Sequence, residues 1–193
     1  MTEPKQPWQL LDLRIVYDNP WIRVEEHRVV NPSGGRSLYG KVCFKNRAVG
    51  ILALDTERNL YLVGQHRYTL DEYFWELPMG GAPPEEDTLA AAQRELKEET
   101  GISAMHWVEL MRLHTSNSVT DELGLVYLAT DLSFGAPELE STEDIAIRRL
   151  PLADAAAWVM DGRITDAISA AGILRLWSDR ERLLDRGDSV ARS

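Results

Sequence analysis

Three glutamates, Glu95, Glu98 and Glu99, are the residues whose type and spacing best suit chemistry in this chain. They recur at i, i+3 and i+4 within residues 88–100, a segment predicted to be a helix, so their carboxylates share one strip of its surface. Like charges at that spacing destabilise a helix by roughly 0.2–0.5 kcal/mol per pair, and acids near a helix C-terminus oppose its dipole. Clustered carboxylate oxygens instead suit a hard divalent cation such as magnesium or manganese.

The segment before this helix suits the approach of an anionic ligand. Residues 77–84 contain two glycines, which let a backbone come close to a ligand, and three prolines, which fix φ. The segment leads into a helix N-terminus, where unpaired N–H groups favour anions. Asp87 or Thr88 is available as the N-cap, and Gly101 stands where a left-handed C-terminal cap is expected.

Residues 80–102, GGAPPEEDTLAAAQRELKEETGI, resemble the signature of the Nudix hydrolases, G-x5-E-x7-R-E-U-x-E-E-x-G-U with U aliphatic; we call this stretch the box. Chance agreement at its seven fixed positions has odds on the order of 1 in 10^8 per starting point. The alternative, a solvated acidic helix, explains neither the glycines nor the arginine. The specified positions are filled by Gly80, Glu86, Arg94, Glu95, Leu96, Glu98, Glu99, Gly101 and Ile102.

The resemblance implies a metal site built from the box acids. Glu95, Glu98 and Glu99 would bind two or more magnesium or manganese ions, with the carbonyl oxygen of Met79 or Gly80 as a further ligand. Glu98 and Glu99 would also be catalytic, because a box glutamate is one candidate for deprotonating the attacking water. The implied reaction is hydrolysis of a nucleoside diphosphate linked to another group.

The resemblance also implies the fold and its bracing. Glu86 and Arg94 would form a structural pair that holds the loop against the helix, which Gly101 ends. The fold class would be α+β, an α/β/α sandwich in which helices flank a mixed central sheet.

Composition restricts the class of protein. A length of 193 residues is enough for a sizeable core, and a net charge of −10 argues against nucleic acid as a partner. Cys43 is the single cysteine, so no disulfide framework is expected. No run approaches 18 apolar residues and residues 1–9 have no apolar signal core, which predicts no membrane partner and a cytoplasmic location.

The rest of the chain is predicted to form two units. Alternating apolar residues over 10–44, interrupted by the turn signal NPSGG at 31–35, predict a small antiparallel β-sheet. We therefore divide the chain into an N-terminal β-subdomain, residues 1–45, and a Nudix catalytic domain, residues 46–193. In the catalytic domain, strands are predicted at 48–54, 60–65, 73–77, 107–113, 123–129 and 144–150, and helices at 88–100, 151–160 and 164–184.

From about Trp21 to Trp177 this layout resembles one subgroup, the ADP-ribose and nucleotide-sugar pyrophosphatases. In that subgroup the N-terminal sheet commonly exchanges between two subunits, so the resemblance implies a homodimer. The substrate would be a small nucleoside diphosphate derivative, ADP-ribose or a nucleotide sugar. On an N-terminal sheet that roofs the partner's site, Trp21 and Tyr39 are candidates for stacking on the base.

Three further positions are candidates outside the box. Arg67 could bind a phosphate or stack on a base, or form a salt bridge instead.

In the subgroup, a glutamate of the acidic loop near 138–144 completes the metal site or acts as general base. Glu143 is the best match for it and Glu140 the second, the alternative being a solvated loop. Glu122 matches the acid that ends the corresponding motif in relatives and is a candidate for binding substrate; the alternative is a strand-edge acid that merely caps a turn.

Residues 114–122, HTSNSVTDE, depart from the subgroup, whose members carry a proline there. Hydroxyl, amide and carboxylate groups suit recognition of a sugar by hydrogen bonds, but the missing proline puts ADP-ribose itself in doubt.

A second hypothesis for the function is a nucleoside triphosphate pyrophosphohydrolase, whose substrates would include oxidised nucleotides. A third is a Nudix module that senses a nucleotide without cleaving it; such sensors usually lose box acids, and this chain keeps them.

Overall fold

The computed structural model describes residues 7–138 and 145–184. Glu140 and Glu143 therefore lie outside the described residues. The described part contains ten strands and three helices. In chain order they are β1 (Gln9–Asp18), β2 (Ile22–Val30), β3 (Arg36–Phe44), β4 (Arg47–Ala53), β5 (Asn59–Arg67), β6 (Glu72–Glu76), β7 (Met79–Ala82), α1 (Thr88–Thr100), β8 (Ile102–His114), β9 (Leu123–Phe134), β10 (Ala146–Pro151), α2 (Leu152–Met160) and α3 (Ala167–Leu184).

The N-terminal strands form the expected antiparallel sheet, in the order β1-β2-β3. Asn31 builds the turn between β2 and β3, because its side-chain oxygen accepts hydrogen bonds from the Ser33 and Gly35 N–H groups at 3.0 and 2.9 Å. Gly34 supplies the positive φ of that turn, 84°. Strand β1 is exposed along its whole length. The division at residue 45 into two units stays a prediction.

Two further sheets form the rest of the strand structure. The central one has the order β7-β4-β9-β8, and β4 runs parallel to β9 while its other pairings are antiparallel, so the sheet is mixed. The second has the order β10-β5-β6 and is antiparallel. Side chains alternate along β4, so Val49 and Ile51 belong to one hydrophobic cluster and Leu52 to the other.

Helices cover both faces of the central sheet. Helix α1 buries Ala91, Ala92 and Leu96 in the cluster that contains Val49, while α2 and α3 close the opposite cluster. Asp87 is the N-cap of α1 and accepts hydrogen bonds from two backbone N–H groups, and Gly101 caps its C-terminus in the left-handed conformation. The predicted α/β/α arrangement with a mixed sheet is confirmed. No helix in the described residues is long and apolar enough to span a membrane.

The structure corrects several element boundaries. The segment expected to be a loop before α1 contains β7, because Met79–Ala82 pairs with Arg47–Gly50 of β4. Strand β8 starts at Ile102 rather than at residue 107, since it pairs with β9 as far as Phe134. Helix α3 begins at Ala167, three residues later than expected, because the Asp166 side chain accepts the Ser169 N–H at 2.8 Å and caps it.

Gly101 provides a test of how α1 is joined to β8. Gly101 (φ 69°) and Gly162 (φ 81°) both adopt the left-handed conformation. A Cβ on Gly101 would lie 2.4 Å from the Gly135 oxygen, whereas a Cβ on Gly162 would meet nothing within 4 Å. We expect G162A to lower the free energy of unfolding by about 1 kcal/mol. G101A should cost roughly 1–3 kcal/mol more, because of the added clash. Urea unfolding measures both, and equal losses would show that the Gly135 contact is unimportant.

Candidate active site

Arg94 organises the acidic strip of α1. Its Nη1 donates to Glu95 Oε1 at 2.7 Å and to Glu98 Oε2 at 3.0 Å. Its Nε and Nη2 donate to the two carboxylate oxygens of Glu86, at 3.2 and 3.1 Å, and Nη2 also donates to the Gly81 carbonyl at 3.1 Å. The bond to Glu86 is the largest of the influences that raise the pKa of Arg94. The Arg94 guanidinium thus joins α1 to Gly81 in β7 and to Glu86 just before the helix.

Strand β7 lies directly over the acids. A Cβ on Gly80 would stand 2.0 Å from Glu95 Cδ, so only glycine leaves room for that carboxylate. The neighbouring Met79 N–H donates to Glu99 Oε2 at 3.0 Å, and Glu99 is buried. Pairing of Met79 with Gly50, and of Gly80 with Val49, fixes this part of the backbone. Helix α1 and β7 therefore place Gly80 beside Glu95 and Met79 beside Glu99, and the metal-binding role of the predicted ligands stays a prediction.

The chemistry of the donor set suits a hard divalent cation, but the arrangement of the side chains would have to change, because Arg94 Nη1 lies between Glu95 and Glu98. Among the residues that the structure describes, no three histidine, cysteine, aspartate or glutamate side chains stand together in an arrangement that could hold a metal. Arg94 Nη1 already bridges Glu95 and Glu98, which places positive charge between them. Carboxylate oxygens of this kind are ligands that magnesium and manganese prefer. A cation that takes the place of Nη1 would find both carboxylates beside the uncrowded backbone of Gly80.

Arg67, the expected phosphate ligand, is paired with a carboxylate. It donates through Nε to Glu76 at 3.0 Å and through Nη2 to the same buried group. Burial opposes this charge, but the bond to Glu76 raises the pKa of Arg67 above its usual value. The guanidinium also borders a cavity of about 250 Å³ beside the start of α3, where Thr165 and Asp166 lie. Arg67 therefore forms a salt bridge, as one of the two alternatives expected, and its binding of a phosphate stays a prediction.

The segment at 115–122 is fastened to strand β3. The Val42 N–H donates to the Val119 carbonyl at 2.9 Å, and the Tyr39 hydroxyl donates to the Ser118 carbonyl. Asp121 accepts the Phe44 N–H at 2.9 Å and pairs with Lys41 at 2.7 Å. The N-terminal sheet therefore holds the segment that the sequence suggested for sugar recognition.

The remaining predicted substrate residues are placed apart from the acids. The Tyr39 ring packs edge-on against Trp8 with centroids 5.4 Å apart, so it already has an aromatic partner. Trp21 is 69% exposed in the turn between β1 and β2. The Glu122 carboxylate accepts the Thr115 hydroxyl, a contact within its own turn. The described chain does not bring these three to the box, and their roles stay predictions.

Sequence reasoning missed one residue that contacts the box segment. Arg47, at the start of β4, donates from Nη2 to the carbonyls of Pro83 and Glu86 at 2.9 and 2.6 Å. Arg47 lies 36 and 39 positions from those partners in the chain, and it belongs to no motif that would indicate the contact. The pairing of β4 with β7 is the only signal, and the sequence assigned β7 to a loop.

Comparison with known proteins decides the family. A model of the NUDIX domain matches residues 44–168, and a model of the nucleoside diphosphate sugar hydrolase N-terminal domain matches residues 8–42. The chain belongs to the Nudix family. The two matched regions follow one another along the chain, and the box lies inside the NUDIX match. The predicted membership and the prediction of a Nudix enzyme are confirmed.

Individual Nudix relatives agree with this assignment. An ADP-ribose pyrophosphatase of Mycobacterium tuberculosis is 38% identical over 152 residues, which cover 75% of this chain and 72% of the relative. An ADP-ribose pyrophosphatase of Bacillus subtilis is 33% identical, over 65% of this chain and 69% of the relative. The crystal structure of an ADP compounds hydrolase superposes with a TM-score of 0.82 at 24% identity, covering 96% of this chain and 99% of the other, and shows the same fold.

Gly80 allows a test of the Nudix acid site. In G80A the added methyl group would occupy the space of Glu95, so we expect manganese affinity to fall by about 10-fold or more. G40A is the matched control, because a Cβ on Gly40 in β3 would meet nothing within 4 Å. Isothermal titration calorimetry with Mn²⁺ measures both. Unchanged manganese affinity in a folded G80A would contradict the placement of the site.

Proposed function

We infer that the chain hydrolyses the phosphoanhydride bond of a nucleoside diphosphate linked to a sugar or similar group. The products are a nucleoside monophosphate and a sugar phosphate. The observation that carries this conclusion is the joint match to the NUDIX domain and to the nucleoside diphosphate sugar hydrolase N-terminal domain, with all box acids present. The ADP-ribose pyrophosphatases among the relatives support the same substrate class.

The group attached to the diphosphate is the open part of the assignment. One relative, 29% identical over 83% of this chain, is a CMP-5'-(N-acetyl-N-hydroxy-3-aminopropyl)phosphonate hydrolase of Streptomyces rubellomurinus. Its name carries a CMP unit linked to a phosphonate rather than to a sugar. We keep ADP-ribose and nucleotide sugars as the first substrates to test.

The proposed cofactor is magnesium or manganese, two or more ions per site. Glu95, Glu98 and Glu99, with the Met79 or Gly80 carbonyl oxygen, would hold them. Bound there, the ions would neutralise the diphosphate and polarise the phosphorus that is attacked. If a cation took the place of Nη1 between Glu95 and Glu98, the bonds from Nη2 to Glu86 and Gly81 would keep the guanidinium beside the acids.

Exposure supports Glu98 as the acid that takes a proton from the attacking water. Its side chain is 31% exposed, whereas that of Glu95 is 13% exposed and Glu99 is 2% exposed. The water oxygen bonds to phosphorus, the bridging oxygen leaves with the other phosphate, and the water proton passes to the carboxylate. Glu143 remains the alternative base, and it lies outside the described residues.

The rival functions have weaker support. RNA pyrophosphohydrolases match this chain over about 60 residues, 30% of its length, whereas the model of the nucleoside diphosphate sugar hydrolase N-terminal domain matches residues 8–42. That domain match favours a nucleoside diphosphate derivative over a triphosphate. A sensor without activity would not need the intact set of box acids.

The substitution E98Q tests the proposed activity. It keeps the size of the side chain but removes the charge, so we expect kcat to fall by roughly 100-fold or more. The control is E181Q, which changes an exposed acid of α3. Phosphate released from ADP-ribose, GDP-mannose, UDP-sugars and ADP-sugars by a coupled phosphatase measures turnover. Wild-type turnover in E98Q would refute the assignment, and release from triphosphates alone would favour the rival.

We also propose that the protein is a homodimer in the cytoplasm. The location is supported by the single cysteine, and the dimer by apolar side chains that stand exposed on the N-terminal sheet. Exposed apolar patches of this kind are uncommon on monomers and mark interaction surfaces. We call these residues the apolar patch: Leu10, Leu11, Leu13, Ile15, Val16, Tyr17, Trp21 and Leu38.

A charge placed in the apolar patch tests the dimer. I15K would bury an ammonium group between subunits, so we expect the dissociation constant to rise at least about 10-fold, which corresponds to about 1.4 kcal/mol. M160K is the control, because Met160 is 77% exposed at the end of α2. Sedimentation equilibrium distinguishes the two. A wild-type monomer at all concentrations, or an I15K dimer of wild-type affinity, would exclude this interface.

A further inference from the structure

Arg47 reaches from β4 to the segment between β7 and α1. Its backbone pairs with Ala82, the last residue of β7, and its side chain continues past that strand. Nη2 donates to the carbonyl oxygens of Pro83 and Glu86, at 2.9 and 2.6 Å. The two accepting residues lie at the start and end of residues 83–86, so one nitrogen holds this turn closed.

The stability of the fold alone does not explain this arginine. Its Nε is buried and has no hydrogen-bond partner, and within the described chain its guanidinium forms no ion pair. An unsatisfied buried donor is destabilising, and an apolar side chain of similar length would avoid that cost. Unsatisfied groups of this kind often occur where a residue has a functional role.

The contacts of Glu86 connect Arg47 to the acids. Arg47 binds the backbone carbonyl of Glu86, while the Glu86 carboxylate receives two hydrogen bonds from Arg94. Arg94 in turn contacts Glu95 and Glu98. A displacement of residues 83–86 would therefore move the partner that sets the orientation of Arg94, and with it two of the three proposed ligands.

We propose that Arg47 is a positioning residue for the metal site: it fixes residues 83–86 so that Glu86 and Arg94 hold Glu95 and Glu98 ready for the cation. The inference rests on the proposed function only in taking the box acids as metal ligands. The two N–H groups of Nη2 serve both carbonyls, whereas a thioether has no donor and the lysine ammonium stands one atom closer to the backbone.

The substitution R47M in the full chain tests this role. We expect the manganese affinity, measured by titration with EPR detection of free Mn²⁺, to fall about 10-fold, as is typical when a residue that supports metal ligands is lost. In the metal-free protein, amide hydrogen exchange at residues 85–87 should become faster. The thermal midpoint should change little, because the orphaned Nε is removed together with the two bonds.

The control is R149M, which removes an arginine that pairs with Asp55 and Glu57 at 2.6 and 2.8 Å, on a different sheet. It should affect stability but leave manganese affinity unchanged. If R47M does not fold, R47K decides, with an expected loss of several-fold in affinity. Wild-type affinity in folded R47M, or in R47K if R47M is unfolded, overturns the inference, as does a wild-type protein that binds no manganese. A wild-type protein that binds manganese but cleaves no substrate refutes only the proposed function.

Discussion

The contact between one guanidinium and three carboxylates is the constraint on which the site depends. Arg94 touches Glu86, Glu95 and Glu98, and when these are ionised their charge exceeds that of the arginine by two. A strip of acids near a helix C-terminus would destabilise α1 without this partner. The arginine makes the strip compatible with folding, and the remaining excess of negative charge is what a divalent cation would neutralise. Stability of the helix and the proposed affinity for metal would therefore come from the same set of side chains.

Backbone geometry supplies what the charges alone do not. The candidate carbonyl ligands Met79 and Gly80 belong to a strand whose register is set by β4, so they are held rigidly rather than carried on a free loop. Gly80 leaves space for Glu95, and the Met79 N–H keeps Glu99 in place. Sites on strands and helices hold their groups more accurately than sites on loops. The correction of β7 from loop to strand thus strengthens the interpretation of the box.

The sequence predicts those parts of the molecule that depend on local spacing. Helix α1, its caps and the strip of acids follow from periodicity and from the placement of Asp87 and Gly101, and the N-terminal sheet follows from alternation. Strand β7 could not be predicted, because MGGA has little β-propensity and its strand character comes from pairing with β4. Contacts over long distances in the chain, such as Arg47 with Glu86, were missed for the same reason. The partner of Arg67 was left open, since arginine binds carboxylate and phosphate equally well.

The N-terminal sheet also determines what the segment at 115–122 can offer to a substrate. Strand β3 engages the Ser118 carbonyl through Tyr39 and the Asp121 carboxylate through Phe44 N–H and Lys41. Thr115 and Glu122 are bonded to each other. Among the polar side chains that suggested sugar recognition, Asp121 is therefore used to attach the segment to the sheet. Asn117 is exposed and its side chain forms no hydrogen bond within the described residues, so its amide is one of the groups that remain available, together with the Ser116 and Ser118 hydroxyls. The proposed dimer surface and the segment proposed for sugar recognition are therefore attached to the same sheet.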